Sequence, residues 1–210
     1  MQNGTILTVF AAGSLILFIM PFKIKRDAKK QADIFLCRYA TKERFIMKLK
    51  KLVTLSILAA MTALLTLVYH IPIMQTEGYI HLGDSVIYLT AFLFGGPSAA
   101  LVGAVGGGIA DLLVAPVYCI PTIIVKSLMA LAAGFVFTKI KKWPVNYVLS
   151  FLCGSIIMVG GYYIAECIML GSFTSPAAAI PFNFIQAAAS VPIPCILVPI
   201  LRKLLRKNIL

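Results

Sequence analysis

Residues 48–71 read KLKKLVTLSILAAMTALLTLVYHI: three lysines lead into twenty residues that contain no Asp, Glu, Lys or Arg. A helix needs about 20 mostly apolar residues to cross the hydrocarbon core of a bilayer, so 52–71 reads as a transmembrane helix with a basic foot. The same grammar recurs along the chain. Apolar runs at 81–95, 98–115, 121–138, 145–167 and 181–201 supply five further spans, and a run at 6–22 precedes them all. The run at 81–95 is short and polar at its start. The expected fold is all-α, a polytopic membrane bundle of six transmembrane helices with an extra N-terminal helix as an option.

Composition supports this. Of 210 residues, 60% are hydrophobic and 12% charged, and the mean hydropathy is +0.97, which leaves too little polar surface to cover a water-soluble globule. The formal net charge of +12 would suggest nucleic acid in a soluble protein. Here the cations sit beside the ends of apolar runs, where they meet anionic headgroups, and a nucleic-acid role is set aside. The cysteines Cys37, Cys119, Cys153, Cys167 and Cys195 form no CxxC pair, and His70 and His81 have no ligand-like spacing with them. They read as small apolar residues, with no disulfide framework, metal site or cofactor expected.

Nearly every Lys and Arg falls in one of three clusters: 23–51; Lys139, Lys141 and Lys142; and Arg202, Lys203, Arg206 and Lys207. Positive clusters mark the cytoplasmic ends of membrane helices. The 52–71 helix then runs outward, and 81–95 and 98–115 form a hairpin through Gly95-Gly96-Pro97. The fourth span returns before Lys139, the fifth runs out, and the sixth brings a basic C-terminus back to the cytoplasm of a prokaryotic cell. The outer connections at 72–80, 116–120 and 170–179 contain no Lys or Arg.

The piece before Met47 differs in kind, and the chain divides into an extension, 1–46, and a six-helix membrane domain, 47–210. The extension reads either as an appended helix with its amino end outside or as a consequence of translation starting at Met47, whose Met-Lys-Leu-Lys-Lys opening resembles a natural amino terminus. A cleaved signal peptide fits less well, because the cations follow the apolar run and no small-residue cleavage site is evident.

Past Lys51 the acidic residues are Glu77, Asp84, Asp111 and Glu166, all expected in outer loops or outer halves of helices, and the one unclustered cation, Lys126, lies at similar depth. Ionisable groups within a span are costly and usually face the bundle interior with a partner or ligand. Together with Tyr79, His81, Tyr88, Tyr118, Tyr163, Asn183 and Gln186 they outline a pocket open to the outside, apolar-walled with a few directed polar groups. The plainer alternative for Lys126 is a structural ion pair with Asp111 or Glu166, and each histidine taken singly fits an interfacial hydrogen-bonding role. Ala99, Gly103, Gly107 and Asp111 recur every four residues and predict a smooth ridge for close helix packing. Ala59 and Ala63, also four apart, leave a flat patch for a partner helix. The Gly106-Gly107-Gly108 run lacks the Lys-Ser/Thr of a phosphate loop.

Several of these pieces together carry a family likeness: Gly83-Asp84-Ser85-Val86-Ile87-Tyr88, Phe94-Gly95-Gly96-Pro97, the Gly-rich helix ending Ala110-Asp111, and Pro121-Thr122 with Lys126. From Met47 onward the chain resembles the substrate-binding S components of energy-coupling factor (ECF) vitamin transporters. The resemblance implies six helices with cytoplasmic termini, no nucleotide site, capture of a vitamin or precursor at the outer side, and association with a transmembrane coupling subunit and two ABC ATPases. It also implies that Ala59 and Ala63 form the family's docking pattern on the first helix. The segment from Gly78 through Tyr79, His81 and Gly83 to Asp84 would be a lid, above Lys126, Tyr163, Glu166, Asn183 and Gln186. The Gly-Asp motif and the Lys after Pro-Thr are most similar to the branch handling pyridoxine-like or hydroxymethylpyrimidine-like heterocycles. The segment before Met47 departs from a six-helix member. A stand-alone secondary carrier would be expected to show an internal repeat, and none is convincing. An intramembrane hydrolase would need a nucleophile–base pair or a motif such as HExxH, and none is present.

Overall fold

The structure is a computed structural model that describes residues 22–72 and 79–209. The candidate span 6–22, Glu77 and the first residue of the expected lid, Gly78, therefore lie outside the described residues, but for Phe22. The chain divides into two compact units, residues 1–51 and 52–210. The first helix, α1 (Phe22–Val68), contributes to both.

In the second unit the elements follow in order as β1 (Ile71–Pro72), β2 (Tyr79–Ile80), α2 (Asp84–Phe94), α3 (Gly96–Val114), α4 (Cys119–Lys139), α5 (Val145–Leu170), α6 (Ile180–Ala189) and α7 (Pro192–Ile209). Five stretches are long and apolar enough to cross a bilayer: 45–68, 96–114, 116–139, 145–170 and 176–204; α2 is a shorter apolar helix. Large apolar side chains such as Ile57, Leu113, Ile124, Ile156 and Ile168 stand exposed on the outside of these helices. In water that surface would be prohibitive; in hydrocarbon it is the natural solvent contact.

The sixth expected span is two helices. Pro192 has no N–H to give the Ala188 carbonyl, and its ring disfavours helical backbone at Val191, so the chain breaks at Ser190–Val191 and restarts with Pro192 at the first helical position. The 190 hydroxyl closes the end of α6 by donating to the Gln186 carbonyl at 2.9 Å.

Small residues set the helix spacing. A Cβ on Gly106 would come within 2.5 Å of the Ala59 carbonyl oxygen and 2.7 Å of Thr62 Cβ, and one on Gly107 within 2.9 Å of Thr122. One face of α3 thus meets α1 and the next meets α4. The expected ridge is present, with Ala99, Gly103, Gly107 and Asp111 all buried. The tight α2–α3 turn depends on Gly95, whose φ of +86° strains any residue with a Cβ.

The two ends of the bundle differ chemically. Toward the turn between α4 and α5 the core is aromatic: Phe92 stacks on Phe137 at 4.3 Å and meets Tyr147 edge-on at 5.1 Å. Arg202 lies over the Phe137 ring at 4.9 Å and donates to the Phe92 carbonyl. Trp143, the single tryptophan of the chain, stands exposed in that turn. The opposite end is polar inside, and it holds the candidate site.

Candidate functional site

The polar end is assembled where six elements terminate: the start of α2, the end of α3, the start of α4, the second half of α5, the short α6, and the β2 segment that crosses them. At its base Lys126 of α4 points its ammonium at Asp84 of α2, with Nζ 2.6 Å from Oδ1 and 2.8 Å from Oδ2. Both side chains are completely buried. Taking two charges out of water is costly unless they are paired and further hydrogen-bonded, and Gln186 of α6 supplies that bond through Nε2 to Asp84 Oδ2 at 2.8 Å. The expected partners of Lys126, Asp111 and Glu166, are not the ones it takes. Gly103 leaves room for the Lys126 stem, since a Cβ there would sit 3.3 Å from Lys126 Cβ, and the stem reaches α2.

His81 joins the same network. Its backbone N–H donates to Gln186 Oε1 at 3.2 Å, and its ring Nδ1 accepts from the Gly83 N–H at 3.1 Å. Its other ring nitrogen, Nε2, lies 3.3 Å from Gln186 Nε2. Gly83 has a steric reason to be glycine: a Cβ would fall 2.2 Å from Thr66 Oγ1 and 2.9 Å from the Thr62 carbonyl oxygen. The Gly-Asp pair therefore lets the chain press against α1 while delivering Asp84 to Lys126.

Above this base lies a narrow cleft whose empty volume, mouth included, is about 350 Å³. Tyr79 and His81 line it from the β2 side, Asp111 from α3, Thr122 from α4 with Tyr118 just ahead of it, Tyr162 and Glu166 from α5, and Asn183 and Gln186 from α6. Tyr79 donates to Asp111 Oδ1 across the mouth. Burial first, and then the neighbouring Asp111 carboxylate, hold the Tyr79 phenol well above its ordinary range, so it stays protonated as a donor. Thr122 and Tyr162 hydroxyls pair at 2.8 Å. Tyr118 donates to Glu166 Oε1 at 3.1 Å, while Glu166 Oε2 is buried without a hydrogen-bond partner among the described residues.

Of the residues singled out in the sequence, Tyr79, His81, Asp111, Tyr118, Glu166, Asn183 and Gln186 line the cleft, and Gly83, Asp84 and Lys126 build its base. Two lie elsewhere. Tyr88 is in the core, with its hydroxyl over Gly154 and 3.5 Å from Ser155 Oγ and its ring 4.7 Å from Phe151. Tyr163 turns away and donates to the Phe173 carbonyl at 3.1 Å; its neighbour Tyr162 takes the place in the cleft. Sequence reasoning missed Tyr162 and Thr122. The signal was available for the first, because Met158, Tyr162 and Glu166 recur every four residues and share one helix face. On α1, Ala59 lies on the buried face with Leu55, Thr62 and Thr66, against Gly106 of α3, and Ala63 is half-buried.

Comparison with known proteins gives consistent results. The family described as "ECF-type riboflavin transporter, S component" matches residues 46–203. The chain is 31% identical over 157 residues to the thiamine precursor transporter HmpT of Lactococcus lactis subsp. cremoris, covering 74% of this chain and 89% of that protein. It is also 31% identical over 109 residues to an uncharacterised protein of Pyrococcus woesei, covering 50% of this chain and 71% of the other. Among solved structures, the S component of a bacterial ECF transporter superimposes with a TM-score of 0.61 over 75% of this chain and 98% of that one, at 21% identity. That likeness establishes the fold.

Proposed function

Because this chain belongs to the ECF transporter S-component family, a family of membrane-embedded substrate-binding subunits and not of enzymes, we propose that it captures a small water-soluble heterocycle for ATP-driven uptake. The ligand class we favour is pyridoxine-like or hydroxymethylpyrimidine-like. The observation that carries this reading is the cleft itself: polar groups from five elements converge on it at one end of an otherwise apolar bundle.

In this reading the cleft opens to the outside of a prokaryotic cell, since the basic residues Lys139, Lys141, Lys142, Arg202 and Lys203 gather at the opposite end, which makes the C-terminus cytoplasmic. The β2 segment with Tyr79 and His81 acts as the lid, and Tyr162 offers a ring face for stacking. Asn183 and Gln186 exchange hydrogen bonds with ligand hydroxyls and ring nitrogens that lose water on entry, each worth about 2–7 kcal/mol of desolvation if left unmet. Lys126 and Asp84 hold the floor. In this reading ATP is bound by partner subunits and not by this chain. A transmembrane coupling subunit and two ABC ATPases supply the driving step, docking on α1 around Ala63; Ala59, the other residue of the expected docking pair, is turned inward against α3.

Native mass spectrometry of the detergent-purified chain, followed by titration with pyridoxine, hydroxymethylpyrimidine, thiamine and riboflavin, tests the proposal. A stoichiometric bound heterocycle supports it. A protein that arrives empty and that no vitamin stabilises returns the weight to a stand-alone carrier and makes the polar cluster structural.

A further inference from the structure

We propose that the ligand brings an amine or a protonated ring nitrogen to Glu166, and that the site rejects vitamins carrying a carboxylate; this deepens the binding-subunit reading and rests on it. The charges facing the cleft are of one sign. Asp111 and Glu166 line it, no Lys or Arg does, and the one cation nearby, Lys126, is committed to Asp84 at 2.6 Å. The two carboxylates differ in how far they are satisfied. Asp111 is engaged by the Tyr79 hydroxyl. Glu166 is 3% exposed, and one oxygen accepts from Tyr118 while the other, Oε2, faces no donor among the described residues.

A buried acceptor without a donor is costly, and native structures rarely leave one unless something is meant to fill it. The neighbouring hydroxyls are already used: Thr122 and Tyr162 pair with each other, and Thr122 also hydrogen-bonds Asp111, so Tyr162 donates to Thr122 and Thr122 to the carboxylate. What fits is an N–H donor from the ligand, strengthened if it carries positive charge. A ligand carboxylate in the same place would face the Glu166 and Asp111 carboxylates with no free cation to offset them. The sign of the cleft therefore separates amine-bearing heterocycles from acids such as nicotinate, biotin or pantothenate.

A matched pair of probes tests this on the full chain, first as it stands and then with Glu166 replaced. Calorimetric titration compares hydroxymethylpyrimidine bearing its ring amine with the analogue in which a carbonyl replaces that amine. The aminopyrimidine is expected to bind about tenfold or more tightly, the scale of one hydrogen bond to a charged group. Glu166→Gln is expected to narrow that ratio from both sides, weakening the aminopyrimidine and strengthening the carbonyl analogue, to which the new amide can donate, with its unfolding midpoint checking that it is folded. Equal binding of the two probes, a ratio unchanged in Glu166→Gln, or tight binding of nicotinate, biotin or pantothenate overturns the amine assignment and leaves a binding subunit standing. Silence from every vitamin tested overturns both.

Discussion

Lys126 and Asp84 are the residues on which the interior of this molecule depends most directly. Both are fully buried and within 2.8 Å of each other, so removing either strands the other in a medium that cannot solvate it. Lys126→Ala should lower stability by about 3–5 kcal/mol, read from the unfolding midpoint in detergent. The double change Lys126→Met with Asp84→Asn, which removes both charges, should recover much of that loss. Tyr79→Phe acts differently, because it deletes the hydroxyl that ties β2 to Asp111. In the proposed reading it should speed ligand release about tenfold or more, the scale of a bond to a carboxylate, with little change in unfolding temperature. Residue identity was largely legible here, since charged and amide groups within apolar runs are conspicuous. Direction around the helix was less so. The choice between Tyr162 and Tyr163 turns on 100° of helix rotation, which Glu166 four residues on fixes once its own face is known.

Among the elements, α3 works as a spacer defined by what it lacks. Its glycines let α1 approach on one side and α4 on the other, and the contact is to backbone: Gly106 faces the Ala59 carbonyl. Gly106→Leu should destabilise the bundle by about 1–3 kcal/mol or more through overpacking, whereas Gly160→Ala, where a Cβ meets nothing within 4 Å, should be neutral. Denaturation midpoints of the two variants compare them directly. The same contact divides the alanine pair on α1. Ala59→Leu should cost stability, because Ala59 is buried against α3; Ala63→Leu should leave binding intact and, if α1 is the docking face, abolish uptake in a reconstituted complex. Spacing of four residues was readable in the sequence, but not which neighbour each small residue serves, because that depends on how three helices cross. The break between α6 and α7 was signalled by Pro192 and was masked by the strength of the apolar run around it.

For the molecule as a whole, the sorting of charge carries the argument about direction. Apolar spans and basic clusters are both properties of composition along the chain, and so the bundle could be read before any contact was known. Convergence of the cleft could be read only as a matter of depth, since hydropathy locates a residue along the membrane normal and says nothing about its azimuth. The proposed orientation predicts that a reporter fused within 139–142 or at the C-terminus is active in the cytoplasm, and that one inserted near 172–175 is active outside. Opposite results would invert the direction of transport. The lone Trp143 gives this arrangement a spectroscopic meaning. It stands beyond the far end of α4 from Tyr118 and Thr122, and the 21 residues of that helix amount to about 30 Å at 1.5 Å each. A heterocycle seated in the cleft is too distant to quench the indole by contact. Any change in tryptophan emission on adding ligand therefore measures motion relayed through the length of the bundle, or a change in what surrounds its basic end. Binding seen by calorimetry with steady emission would mean that closure stays local to the lid.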